Sequence, residues 1–329
     1  MKEYNGFKNC GSWYKGNIHS HPPISDGMLT PEQSVKLYKE NGYHFLCFSE
    51  HDIITDYREQ FNTETFIIVP AVEGSVVLYR AKGTNERYKI HHLHGILGTQ
   101  AMQDAAPLGT YKHMQYIPPM KFFGEWTGPE AAQEVADMLR DHGCVTTYNH
   151  PIWSRVTEEE FIYTEGISAL EIFNFNTVQE SNTGYDVTYW DRMLRMGRRM
   201  NAFASDDNHN EGLFEDSCGG WICVQAPDLS HDSIVQNFID GNYYSSSGPE
   251  IHDWGVRDGK VWIDTSAVNH VNFVCGNIIN DGTTVLGERF KDTLSHAKYQ
   301  LKGHETYVRV EAVDRYGRTA WTNPIYLEW

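Results

Sequence analysis

No apolar run in the 329 residues approaches the ~20 that a membrane-spanning helix needs, and the opening MKEYNGFKNC lacks the apolar stretch of a secretory signal. The expectation is a soluble chain without a membrane partner, cytoplasmic by default. Cysteine is sparse: the six at 10, 47, 144, 218, 223 and 275 show no C-x-x-C spacing, which argues against a zinc ribbon or a disulfide framework. They are expected to be reduced thiols, with Cys47 and Cys144 buried in strands. Basic residues are scarce too. Lys plus Arg total 27 against 44 Asp plus Glu, and a net charge of −17 repels polyanions, so duplex nucleic acid is not expected as the main partner. With 40% hydrophobic and 22% charged residues, the composition suits a globular enzyme with one large core, or one large and one small.

Histidine, by contrast, is abundant, and its clusters at 19/21, 91/92/94 and 150 fall in or beside strand signals. The stretch 17–52 gathers His19, His21, Asp26, Glu50, His51 and Asp52 around one helical signal. Gly16 to Ser20 reads as a short strand, and His-x-His on a strand sets both imidazoles on one face, as a divalent-metal site requires. The helix that follows has Thr30 as N-cap, Pro31 at its first position, Gln33 to complete a capping box, and Gly42 as its stop. A second strand, His44 to Ser49, is apolar and stops in Glu50-His51-Asp52, which fits a buried parallel strand with chemistry at its C-terminal end.

The same device recurs. A β-rich run from Thr65 leads to Glu73-Gly74, where the carboxylate either begins a turn or binds a metal. In HHLHGIL, His92 and His94 share a face, and spacing does not choose between them. Residues 98–127 carry three prolines and five aromatics without periodicity, and read as either a substrate lid or a surface excursion. A helix opening at Gly128-Pro129 and stopping at Gly143 precedes the strand Cys144 to Tyr148, which ends in Asn149-His150-Pro151. Further strands, Ile167 to Phe173 with Glu171, and Asn201 to Ser205, flank a short helix; the second closes in Ser205-Asp206-Asp207-Asn208-His209. Strand and helix alternate, with polar residues at strand ends, so the fold class is α/β and a (β/α) barrel is expected over residues 1–247. After Ser247 alternating strands around Asp258-Gly259 and Asp314-Arg-Tyr-Gly317 carry no strong helix signal, which predicts a small all-β sandwich over 248–329 with a structural role.

Taken in order, HSHPPISDG, SEHD, Glu73-Gly74, HHLHG, NHP and SDDNH resemble the motifs of the PHP (polymerase and histidinol phosphatase) superfamily of metallohydrolases. The second motif usually reads Thr-Asp-His, so Glu50 is a departure. The later motifs and the β-rich tail resemble, more loosely, the branch with carbaryl hydrolase and an aryl amidase. The resemblance implies a distorted (β/α)7 barrel and two or three divalent metals, for which imidazole and carboxylate ligands suit Zn, Mn or Fe. It assigns His19, His21, Glu73 and Asp207 to one metal, Glu73, His92 and His150 to a second, and Asp26, His51 and His209 to a third, with Asp206 behind Asp207. The implied chemistry is attack by a metal-activated bridging hydroxide, with Glu73, Asp207 and His209 as catalytic groups. A phosphoesterase acting on a small phosphate ester is the first expectation, with Arg155, or less well Arg58, facing the substrate anion. An amide or carbamate-ester hydrolase is the second, suggested also by the aromatics Tyr148, Trp153, Phe173 and Phe175 beside the motifs. A metal-stabilised scaffold without turnover is the third.

Overall fold

The structure, a computed structural model, describes residues 2–9, 11–212 and 215–329. Seven strands lie side by side in the order Ser12–Asn17, Phe45–Phe48, Ile67–Tyr79, Arg87–Leu97, Cys144–Tyr148, Ile167–Asn174 and Asn201–Ser205. The two ends of this run meet: Ser20 bridges Asn208 in parallel sense, Asp207 N–H donates to His19 C=O at 3.0 Å, and His21 N–H donates to Asn208 C=O at 3.1 Å.

Not all seven strands are parallel. Arg87–Leu97 is antiparallel to both of its neighbours. The physical reason is the connection 80–86, which turns at Gly83 (φ 86°) and is too short for a crossover helix, so Ile67–Tyr79 folds straight back as a hairpin. Of the two readings of Glu73, the turn is not found: Glu73 sits in the middle of the 13-residue strand Ile67–Tyr79, not at its end. The other links carry helices. Pro31–Glu40 has the capping box between Thr30 and Gln33, and Gly128–Asp141 buries Ala131, Ala132, Val135, Ala136 and Leu139 against the sheet core around Val72 and Leu93.

Beyond Ser12–Asn17 the same sheet continues through Trp221–Ala226 and Tyr243–Ser246 into Thr319–Thr322, Tyr307–Val313, His270–Cys275 and Thr283–Leu286. A separate four-stranded sheet, Tyr4–Asn5, Ile251–Arg257, Lys260–Val268 and Leu294–Gln300, shares a core with that far end, including Trp254, Ile263, Phe273 and Val310. The chain is thus mixed α/β with one long mixed sheet, and no helix follows His231–Ile239 among the described residues. Nor is any described helix long and apolar enough to cross a membrane.

Residues 98–127 are not unstructured. They hold the short helix Gln100–Ala105 and two short strands, of which Gln115–Tyr116 pairs with Ile53–Ile54 and Met120–Phe123 with Val76 to Tyr79. Cys47, Cys144, Cys223 and Cys275 are buried free thiols and Cys218 is half-buried; Cys10 lies outside the described residues.

Candidate metal centre

The side chains singled out in the sequence meet around one carboxylate. Glu73 is fully buried, with Oε1 3.1 Å from His19 Nε2 and 3.3 Å from His150 Nε2, and Oε2 2.9 Å from His51 Nδ1 and 3.3 Å from His92 Nδ1. Asp207 Oδ1 completes the inner set at 2.9 Å from both His19 Nε2 and His21 Nε2. At the outer end, Asp26 stands 3.5 Å from His51 Nε2 and 3.4 Å from His209 Nε2. Three groupings with metal-ligand spacing result: His19, His21, Glu73 and Asp207; His51, Glu73 and His92; and His21, Asp26, His51 and His209. His150 joins through Glu73, and in a fourth grouping with His19 and Glu171.

The residues fit a cation. His19 Nε2, His21 Nε2, His51 Nδ1, Glu73 Oε2 and Asp207 Oδ1 are buried yet lack a hydrogen-bond partner, although His19 Nε2 and His21 Nε2 lie 2.9 Å from Asp207 Oδ1 and His51 Nδ1 lies 2.9 Å from Glu73 Oε2. Buried polar atoms are costly when unsatisfied, and donor atoms aimed at a common point satisfy each other through an ion. Ionisation agrees. Burial would raise the Glu73 carboxyl, but the charges of His92 and His19 hold it well below the usual range, and Asp207 is held low against burial by His19. Burial takes His92 well down, and burial with the charges of His51 and His209 brings His21 to about 3. Against burial, the carboxylates Glu73, Asp207 and Asp26 raise His19, His51, His150 and His209, the last two to about 9, so without a cation these four hold protons that an ion would displace. Anionic carboxylates and neutral imidazoles are the ligating forms.

Local backbone explains how strand ends aim these groups inward. Asp52, His150 and Asp207 all take the left-handed conformation, with φ of 58°, 27° and 53°. His150 and Asp207 carry their side chains into the cluster from these turns, whereas Asp52, next to His51, instead accepts from Ser75 N–H at 2.9 Å. The members of each ambiguous pair lie in different surroundings. His92 faces Glu73, whereas His94 packs edge-on against His19 with ring centroids 4.2 Å apart and neither nitrogen bonded. Asp206 points away and accepts from Tyr38 Oη at 2.7 Å and from the N–H groups of Cys218, Gly219 and Gly220 at 2.8 Å each.

Several supporting residues are not in the sequence-derived set. Glu171 is fully buried and takes His19 Nδ1 at 2.9 Å, His150 N–H at 3.0 Å, and the Ser205 hydroxyl. Asn149 Nδ2 donates to Glu73 Oε1 at 2.7 Å and Asn174 Nδ2 to Asp207 Oδ2 at 2.9 Å. Glu50, the departure from the usual second motif, stays out of the cluster. It accepts from Ile24 N–H, Ser25 N–H and the Ser25 hydroxyl, and so pins the loop that carries Asp26.

The cluster opens on a cleft of about 190 Å³ whose inner lining is Asp26, His51, His92, His150, Asp207 and His209. Around its mouth stand Arg87, Trp153, Asn176, Glu180 and Glu211. Arg155 and Arg58 are not there. Arg155 is exposed on its own turn (φ 60°), and Arg58 forks onto Asp56 at 2.6–3.1 Å in a separate, broader groove. Of the four aromatics, only Trp153 lines the cleft. Its indole stacks near His92, with centroids 6.1 Å apart, and its N–H is fixed on Glu180 at 2.6 Å. Tyr148 is buried against Phe161, and Phe173 and Phe175 line a different groove. No residue of 98–127 is among those that line the cleft.

No family model matches the sequence, and no curated protein matches it. Among solved structures, the chain is similar to a two-domain protein containing a predicted PHP-like metal-dependent phosphoesterase from Bacteroides vulgatus ATCC 8482, at 12% identity and TM-score 0.43, over 99% of this chain and 97% of that one. It is also similar to an amidohydrolase from Chromobacterium violaceum, at 14% identity and TM-score 0.40, over 69% of this chain and 96% of that one. At these scores the reading of the site rests on its own geometry.

Proposed function

We propose that this chain is a metal-dependent hydrolase of the PHP type, a distorted (β/α)7 barrel over residues 1–247 supported by a β-sandwich over 248–329. The observation that carries the reading is the buried Glu73 carboxylate with imidazoles of His19, His51, His92 and His150 all within 3.3 Å. A carboxylate so surrounded is placed to bridge two cations. His19, His21, Glu73 and Asp207 would hold one ion, Glu73, His92 and His150 a second, and Asp26, His51 and His209 a third. The run of seven strands joined at Ser20 and Asn208 supports the barrel reading.

Divalent ions in such a site supply Lewis-acid polarisation of the scissile group and activation of water near neutral pH. The chain's own residues do the rest. Glu171, Asn149 and Asn174 fix the orientation of His19, Glu73 and Asp207, and Trp153 walls the cleft on the His92 side. A small phosphate ester is the first substrate class, because the clustered cations would offset its charge where this acidic chain otherwise repels it. An amide or carbamate ester is the second reading, favoured by the Trp153 wall and by the absence of Arg155 from the cleft. Mn- and Zn-loaded protein assayed on p-nitrophenyl phosphate, p-nitrophenyl acetate and a p-nitroanilide separates the two. Phosphate turnover above a metal-stripped control supports the first; ester or anilide cleavage without it replaces the first by the second; no turnover of any substrate contradicts both.

A further inference from the structure

The cleft mouth has one Lys or Arg among the described residues, Arg87, and its position follows from the reversed strand. Because Arg87–Leu97 runs antiparallel to its neighbours, its first residue lies toward the side where the parallel strands end. Further along that strand, Lys89 is committed to Glu160 at 2.7 Å and His91 to the Tyr148 hydroxyl. Arg87 has no ion pair or side-chain hydrogen bond among the described residues. The acids around the same mouth are Glu180, occupied by the Trp153 indole N–H, and the exposed Glu211. In a chain of net charge −17, a guanidinium without an ion pair that lines the same cleft as two carboxylates and an indole is an unusual arrangement.

We infer that Arg87 is a specificity-determining residue that receives an oxyanion, carboxylate or phosphate, on a small planar substrate lying against Trp153, at the end remote from the bond cleaved. The inference rests on the metal-centre reading, since it takes the reacting end of the substrate to sit among the histidines. Arginine's planar fork matches such an anion two-pronged, and the flat indole face accepts an aromatic ring. The class of substrate is therefore an aryl or similarly planar acid carrying the hydrolysable group at its other end.

The test uses metal-loaded full-length protein and three ligands with one shared metal-binding head: benzohydroxamate, 4-carboxybenzohydroxamate and 4-phosphonobenzohydroxamate. Dissociation constants are measured by calorimetry for wild type, Arg87→Gln and Arg87→Glu. Wild type is expected to prefer one or both acidic ligands by about tenfold over the parent, a value discounted for the exposure of Arg87. Which acid it prefers identifies the oxyanion. Arg87→Gln should abolish that preference while leaving the parent ligand's affinity within about twofold, and Arg87→Glu should reverse it. Equal affinities in wild type, or a preference that survives Arg87→Gln, would overturn the inference and leave the metal centre standing. Failure of all three hydroxamates to bind would instead count against the metal centre, and the inference would fall with it.

Discussion

His19 is held from behind by Glu171: its Nδ1 lies 2.9 Å from the Glu171 carboxylate, while its Nε2 faces Glu73 and Asp207. That contact fixes which nitrogen is free to bind, since a ring N–H given to a carboxylate leaves the other nitrogen bare. Glu171→Gln should weaken metal affinity by about 10–100-fold, the scale seen when such a partner is removed. Competition against a graded chelator would measure it. An unchanged affinity would mean that Glu171 serves only packing.

Glu50 makes a more local prediction. It ties down Ile24 and Ser25, and so Asp26, without touching the inner cluster. Glu50→Ala should lower the occupancy of the outer position formed by Asp26, His51 and His209 while the Glu73-bridged pair keeps its metal. Elemental analysis after mild chelation checks this, and loss of all metal together would contradict it.

Arg155 and Trp153 separate what spacing suggests from what the cleft contains. Arg155→Ala should leave kcat/KM within about twofold, because the side chain is exposed and outside the lining, whereas removal of a transition-state partner costs on the order of 10²–10³. Trp153→Ala should raise KM for aromatic substrates. A large loss from Arg155→Ala would place that arginine at the reacting group after all.

The C-terminal region should be inseparable from the rest. Tyr243–Ser246 pairs with Thr319–Thr322, Asn323 accepts from Ala202 N–H at 3.0 Å, and the buried Arg309 pairs with Asp191 at 2.8 Å and Glu311 at 2.6 Å. Truncation at Ser247 bares the edge of Tyr243–Ser246 and, by removing Tyr307 and Trp321, uncovers the core around Phe173, so it should yield insoluble protein. Arg309→Leu should cost about 3 kcal/mol in urea unfolding, because it leaves two carboxylates without their cation. A soluble, active truncation would show the two regions to be independent.

Much of the inner cluster was legible because its chemistry is written in short motifs at strand ends. His19, His21, His51, His150, Asp207 and His209 each sit beside a strand signal, and the structure brings all of them within the cluster. What spacing alone could not give was orientation. The pair His92 and His94 needed the pleat of a strand whose partners were unknown, and Asp206 and Asp207 needed the left-handed turn at Asp207. Arg87 was invisible for a different reason. Reading strand–helix alternation implies parallel strands, which directs attention to the loops after them, and a reversed strand presents its first residue instead. Glu171 did leave a signal, an acid enclosed by Leu170 and Ile172 in an apolar strand, which implies a buried carboxylate with a partner.

The central claim is that Glu73 bridges cations held by the surrounding histidines, and metal content tests it most directly. Elemental analysis of metal-replete wild type should find at least two divalent transition-metal equivalents per chain. Glu73→Gln should lose more metal than His209→Ala, because the first spans two positions and the second serves the outer one alone. Fewer than one equivalent in wild type, or equal losses in the two variants, would contradict the account.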